Sequence, residues 1–401
     1  MTRTLDGILV VDLTQIYNGP YATFLMAAAG AQVVKIEPPG GEPLRRRGSV
    51  GGAALPFAML NAGKEAICLD LKAPEGKQAL TELLRKADVL VENYAPGVMD
   101  RLGFGDDVLR ELNPRLVRAS SSGYGTDGPY RKFPAMDLTV QAITGVMEIT
   151  GFADSPPVKA GPAVADITAG VHLYGAIVTA LLQRERTGHA PRTEVAMQDA
   201  VYHTLGSALG MHWSQKDSEA GPPPRTGNRH AGLAEAPYNV YPTNDGYLAI
   251  ICTSERHWHG LAKAMGRMEL AADARFATLP NRVANIDEID NLVASWTSAI
   301  SKEEAFHILM ANHVPCAPVR NLGEVMEDEN MHARGALRWV DHPELGRVVL
   351  PRSPMRYDGD ASYTIESSHK LGEDTASVLR RLTGLSDDAI KAIAAHCEPR
   401  G

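Results

Sequence analysis

The sequence predicts an α/β protein of two domains, the larger built on an open parallel sheet with helices on both faces. Three observations carry this. The 401 residues exceed what one ordinary core accommodates. Short β-rich runs alternate with helix-forming stretches through the first two hundred residues. A Pro- and Gly-rich stretch, SEAGPPPRTGNRHAGLAEAP from Ser218 to Pro237, then interrupts that alternation and marks a linker or loop between domains.

Ile8 to Leu13 is the first β-rich run, Pro20 to Ala29 is a helix-forming stretch closed by Gly30, and Gln32 to Glu37 is a second strand, which together make a βαβ unit. The pattern returns with a strand over Ala66 to Leu71, a helix opened by proline over Pro74 to Lys86, and a strand over Asp88 to Glu92. Arg115 to Ser120 adds a strand, Asp166 to Thr187 a long helix, and Thr193 to Met197 a strand after the Gly188 to Pro191 turn. Sheets of this kind place ligands at the carboxyl ends of their strands, so the loops there are the place to look for chemistry.

Beyond the break, Tyr238 to Ile251 is a β-hairpin turning at Asn244-Asp245-Gly246, and helical patterns run from Trp258 to Met310. Ala317 to Arg320, a helix start at Asn321 to Met326, short strands near Leu337 to Leu350 and a helix at Thr375 to Leu382 complete the chain. The expected division is 1–220 for the large domain, 221–320 for the linker and small domain, and 321–401 for a return to the large one.

Composition excludes several classes. A net charge of -8 leaves no basic field for a nucleic-acid backbone. Cys68, Cys252, Cys316 and Cys397 are far apart and form no C-x-x-C pair, which speaks against zinc and a disulfide framework and favours a reducing compartment. The apolar stretch at the N-terminus is only a few residues long and is broken by Asp12, so it is a strand and not an export signal. Ala169 to Leu182 is too short to span a bilayer and is expected as a buried helix. A cytoplasmic location without membrane association follows as an expectation, as does the absence of a metal, because His257 and His259 lack an H-E-x-x-H or Cys/His context.

The loop Gln15-Ile16-Tyr17-Asn18-Gly19-Pro20 follows the first strand without a G-x-G-x-x-G, and Glu37 ends the second strand as a plain solvated acid. Arg45, Arg46, Arg47, Lys64, Lys72 and Arg101 gather near strand ends, where they suit either a solvated face or a phosphorylated ligand. Gly123-Tyr124-Gly125 with Gly128-Pro129 forms a sharp turn, either a simple one or one that frees backbone N–H groups for an oxyanion. Asp137 and Asp166 each precede an apolar helix. Spacing alone makes both N-caps, although a desolvated aspartate at a helix start also has the means to attack a thioester carbonyl as an anion.

These pieces in this order resemble the family III CoA-transferases, the group of formyl-CoA transferase, carnitine CoA-transferase and α-methylacyl-CoA racemase. The likeness runs from about Leu5 to beyond Arg352, through GILVVDLTQIYNGPYATFLMAAAGAQVVKIEPPGG, NAGKEAICLDLKAPEGK, DVLVENYAPGVMDRLGF, SSGYGTDGPY, VADITAG and RTEVAMQDA. It implies a Rossmann-like open αβα domain, a smaller α+β domain and an interlocked homodimer. By position it makes Asp166 the catalytic aspartate and assigns Tyr17, Asn18, Leu69, Lys72, Asn93, Tyr94 and Arg101 to coenzyme A, a substrate as its thioester, with no permanently bound cofactor.

The chain departs from the family pattern in places. Pro38 stands where formyl-CoA transferase has an adenine-facing arginine, a later CoA-binding lysine is replaced near Pro134, and Gly227 to Gly232 reads GNRHAG where the family has a glycine-rich lid. Nucleotide contacts are therefore expected at Arg45, Arg46, Arg47 or Lys132. The implied reaction moves CoA from an acyl-CoA, with succinyl-CoA a reasonable donor, to a carboxylic acid through an aspartyl-CoA thioester. The alternative is a 2-methylacyl-CoA racemase, which would need a histidine where Met136 stands.

Overall fold

The computed structural model describes residues 3–47, 54–219, 221, 225–357 and 366–395. The chain forms two compact units, one of residues 1–140, 162–201 and 326–401, the other of residues 141–161 and 202–325.

The first unit is built on six parallel strands: β1 (Leu9–Asp12), β2 (Gln32–Glu37), β3 (Glu65–Cys68), β4 (Val89–Glu92), β5 (Val117–Ser122) and β6 (Arg192–Ala196). Their order is β3-β2-β1-β4-β5-β6. The order reverses between β1 and β4, and in open sheets that reversal opens a crevice at the carboxyl ends. Register pairs Val11 with Val34 on one side and with Leu90 on the other.

The strands are apolar on both faces because helices cover both. On one face Val11, Ile36, Ile67 and Leu90 pack with Leu80, Leu83 and Leu84 of helix Pro74–Lys86 and with Val378 and Leu379 of helix Thr375–Leu382. On the other, Val10, Val33, Val89 and Val117 meet Ala22 and Met26 of helix Asn18–Ala28 and Leu173 and Ile177 of helix Val164–Thr187. Truncating any one of the buried leucines to alanine costs about 2–5 kcal/mol.

Helix Val164–Thr187 has the length and hydropathy of a membrane span. Its buried Leu173, Ile177, Ala180 and Leu181 nevertheless belong to the sheet's core. At Gly170 this helix comes so close to helix Asn18–Ala28 that an added Cβ would lie 2.6 Å from the Asn18 carbonyl oxygen. The two helix starts are thereby brought side by side.

The expected strand to Leu71 ends at Cys68. Leu69 N still donates to Glu37 O, but Asp70 then turns the chain, its side chain accepting from Lys72 N and its carbonyl from Ala73 N. The free edge of β3 is closed by the C-terminal segment: Asp374 Oδ2 accepts from Ala66 N and Thr375 Oγ1 from Cys68 N. Cys68 is disulfide-bonded, against the expectation for the cysteines, while Cys252 and Cys316 are free; Cys397 lies outside the described residues. A hairpin of β10 (Leu337–His342) and β11 (Gly346–Pro351) also belongs to this unit.

The second unit pairs β7 (Tyr238–Thr243) with β8 (Gly246–Ile251), and adds β9 (Cys316–Pro318) antiparallel to β8. Trp258, Leu261, Phe276, Ile289, Val293 and Leu309 from its helices fill one core behind that sheet.

Candidate active site

The loop that leaves β1 is fixed almost atom by atom. Asp12, fully buried, accepts from Thr14 N and Oγ1, from Thr23 Oγ1 and from Lys64 Nζ. Burial alone would raise its carboxyl, but Lys35 and Lys64 outweigh that and bring it down to about 2. Lys64, equally buried and beside a second lysine, is lowered by burial to about 8 even with Asp12 opposing. It also donates to Pro20 O and Asn61 Oδ1, and Lys35 Nζ donates to Thr14 O.

Asn93, just past β4, ties the loop across the crevice. Its Oδ1 accepts from Gln15 N at 2.9 Å, and its Nδ2 donates to Gln15 O at 2.8 Å and to Asn18 Oδ1 at 2.9 Å. Asn18 in turn donates to Ser121 Oγ at the end of β5. Three strand ends are thus joined by side-chain amides, with Tyr17 half-buried at the head of its helix.

Asp166 is not a cap. Its helix begins at Val164 with Ala163 in the cap position and no side-chain cap bond, so Asp166 lies in the first turn. The capping acceptor comes from elsewhere: Asp137 Oδ1 accepts from Ala165 N at 2.9 Å and from Asp166 N at 3.2 Å. The Asp166 carboxyl is 8 % exposed and, among the described residues, has no hydrogen-bond donor or counter-ion. Burial first and the Asp137 charge second raise it to about 7, overriding the anion preference expected at a helix N-terminus. Its charge is felt at Tyr17, whose phenol is raised by burial and then by Asp166, with Arg47 acting the other way.

The residues assigned to coenzyme A by resemblance all lie in the first unit at strand carboxyl ends: Tyr17 and Asn18 after β1, Leu69 and Lys72 after β3, and Asn93, Tyr94 and Arg101 after β4. Leu69 is buried, whereas Lys72 and Arg101 are exposed. Beyond Tyr94 a cleft of about 300 Å³ opens between the ends of β4 and β5, with Glu92, Arg118, Ser120 and Thr126 in its wall. Burial raises the Glu92 carboxyl there to about 7.

Other expectations are corrected. Glu37 is not a solvated strand end but fully buried, and it holds Arg45 through Nε and Nη2. Arg45 also donates to His369 O and lies over the Phe57 ring, so it is structural; Arg46, Arg47 and Lys132 remain exposed cations. Gly125 N, a candidate oxyanion donor, already donates to Ser122 Oγ. Sequence reasoning missed Asp12 and Glu42 as organisers of the first loop. A carboxylate inside an apolar strand and one opening a short helix were the available signals.

An α/β sheet with a switch-point crevice, a buried carboxyl near its first loop, exposed cations around the strand ends and no dinucleotide glycine motif is the architecture of an enzyme suited to acyl or phosphorylated carriers. The model of CoA-transferase family III matches residues 5–375, and the chain belongs to that family. It is 36% identical to a formyl-CoA:oxalate CoA-transferase from Streptomyces avermitilis, over 99% of both chains. It is 40% identical to an acetyl-CoA:oxalate CoA-transferase from Acetobacter aceti, over 93% of this chain and 94% of that one. Among solved structures, a CAIB/BAIF family protein from Brucella suis aligns with a TM-score of 0.82 at 33% identity, over 95% of this chain and all of that one. The protein is a CoA-transferase, and these relatives give the racemase alternative no support.

Proposed function

We propose that the protein transfers CoA from a small acyl-CoA to a dicarboxylic acid through a covalent intermediate on Asp166. The observation that carries this is a buried carboxyl with no hydrogen-bond donor among the described residues, beside a helix start capped by Asp137. A carboxylate free of donors keeps its nucleophilic lone pairs available.

In the first half-reaction the Asp166 carboxylate attacks the thioester carbonyl, giving a mixed anhydride and CoA thiolate. The thiolate attacks the Asp166 carbonyl of that anhydride, forming an aspartyl-CoA thioester and releasing the donor acid. The acceptor carboxylate then displaces the thiolate to form a second anhydride, and the thiolate attacks the acceptor's carbonyl. New acyl-CoA leaves and the Asp166 carboxylate is restored. Each exchange preserves the acyl activation, provided water is kept from the anhydrides.

Tyr17, Asn18, Leu69, Lys72, Asn93, Tyr94 and Arg101 are the proposed CoA contacts, with Arg46, Arg47 and Lys132 as further cations for its phosphates. The names of the relatives make oxalate the first acceptor to test, with formyl-CoA, acetyl-CoA and succinyl-CoA as donors. An interlocked homodimer working in the cytoplasm, with no permanently bound cofactor, completes the proposal and rests on the family likeness.

The deciding experiment is Asp166→Asn. Asparagine keeps the volume but cannot attack, so turnover should fall by about three orders of magnitude or more while CoA binding and fold persist. Wild-type enzyme given acyl-CoA without acceptor should be trapped by hydroxylamine, with the modified peptide containing Asp166. An active Asp166→Asn variant, or a label on another peptide, would overturn the assignment.

A further inference from the structure

Ile16 carries a backbone φ of +69°. That left-handed region is rarely adopted by any residue with a Cβ and least readily by a β-branched one, so an isoleucine stays there only when its surroundings over-determine it. The adjacent residue is Tyr17, which feels the charge of Asp166.

The restraint is Glu42. This side chain is 2 % exposed, and its Oε2 accepts from Ile16 N at 3.3 Å and from Leu44 N at 3.0 Å. Glu42 is itself seated by the strand it follows, since its N–H donates to Glu37 Oε2, the same buried carboxylate that grips Arg45. On the other side of Ile16, Gln15 is clamped at both N and O by Asn93. The second oxygen of Glu42, Oε1, is buried and has no hydrogen-bond partner among the described residues, so the hydrogen bonds of this carboxylate all run through Oε2 to the loop, while its charge also favours the ammonium of buried Lys64.

We propose that Glu42 is a positioning residue for the transferase reaction: by accepting the Ile16 N–H it locks the left-handed turn that presents Tyr17 to the Asp166 carboxyl. The link to Asp166 rests on the function proposed above. The hold on the loop does not.

A left-handed turn that needs a carboxylate to keep an isoleucine in place should not need it to keep a glycine there. The test therefore compares Glu42→Ala, Glu42→Gln, Ile16→Gly and the Glu42→Ala/Ile16→Gly double variant, using the acyl-CoA and acid pair on which wild-type enzyme is fastest. Glu42→Ala should lower kcat roughly ten- to hundredfold, with KM for the acyl-CoA moving less, because only Tyr17 and Asn18 of the seven proposed CoA contacts lie on this loop. Glu42→Gln, which keeps an acceptor oxygen, should stay within about threefold of wild type. Ile16→Gly should recover at least about fivefold of the loss in the Glu42→Ala background while gaining nothing in the wild type.

A Glu42→Ala loss that Ile16→Gly does not relieve, or a Glu42→Gln variant as poor as Glu42→Ala, would overturn the proposal. Should Glu42→Ala not fold, Glu42→Asp, too short to reach Ile16 N, takes its place in the same comparison. Amide hydrogen exchange over residues 13–19 separates the two readings. Faster exchange confined to that peptide in Glu42→Ala supports the hold on the loop even if Asp166 proves not to be the nucleophile, and unchanged exchange there refutes it.

Discussion

Asp137→Asn isolates one physical effect at the centre of the site. The amide still offers an oxygen to Ala165 N and Asp166 N, so the helix start keeps its acceptor while one negative charge is removed. Asp166 stands at about 7 against an ordinary 3.8, a bias against its anion of roughly 4 kcal/mol. Burial is the larger of the two causes, so the Asp137 charge contributes no more than about half, about 2 kcal/mol or about 1.5 pH units. With Asp166 as the proposed nucleophile, only its anion attacks, and wild-type kcat/KM should fall on the acid side with an apparent pKa near 7. In Asp137→Asn that limb should move down by up to about 1.5 pH units, making the variant on the acid side more active relative to its own plateau than wild type, by roughly fifteenfold at most near pH 5.5. Steady-state rates across pH 5 to 9 with one donor and acceptor would measure it. A limb that stays in place, or moves upward, would refute the claim that Asp137 acts on Asp166 through its charge.

The same carboxyl makes a prediction about stability. Its folded-state pKa lies above the unfolded value, so ionisation of Asp166 destabilises the fold increasingly as pH rises from about 4 through 7. Asp166→Asn should therefore raise Tm at pH 8 and lose that advantage toward pH 4, as melting curves at both pH values would show. Asp12→Ala leaves Lys64 buried without its salt-bridge partner and should cost about 3–5 kcal/mol by denaturant unfolding; a loss below about 1 kcal/mol would mean the network is dispensable. Gly170→Val forces apart two helices that leave no room even for a Cβ and should cost activity more than Gly175→Val, where no atom lies within 4 Å of the added carbon. Sedimentation at falling concentration tests the interlocked dimer, since two threaded chains should not yield a folded, active monomer.

Much of the sheet was legible because its strands are apolar runs punctuated by glycine and proline. Gln32–Glu37 and helix Pro74–Lys86 were read to the residue, and β1 and β4 to within one at each end. Short helices such as Val98–Leu102, which buries no side chain, carry no apolar period and were invisible. The strand after Ala66 was overrun because Leu69 and Leu71 continue the apolar pattern while the turn is made by the side chain of Asp70. At the site, pattern matching found Asp166 and Asp137, but spacing made both of them caps. The acceptor that caps one helix stands 28 residues earlier in the chain, a long-range hydrogen bond with no local signature. Glu37 was misjudged for a similar reason, since nothing beside it announces that Arg45 folds back to bury it.

That Asp137 caps the helix bearing Asp166 has a consequence for engineering. A helix that relied on its own acidic residue for a start would unravel when that residue was exchanged, but here the cap is Asp137, which leaves the Asp166 carboxyl out of the capping and free for the chemistry proposed above. Position 166 is therefore a replaceable socket. Serine, cysteine or glutamate placed there should leave the helix start intact, and the fold could carry nucleophiles of other chemistry at the same crevice.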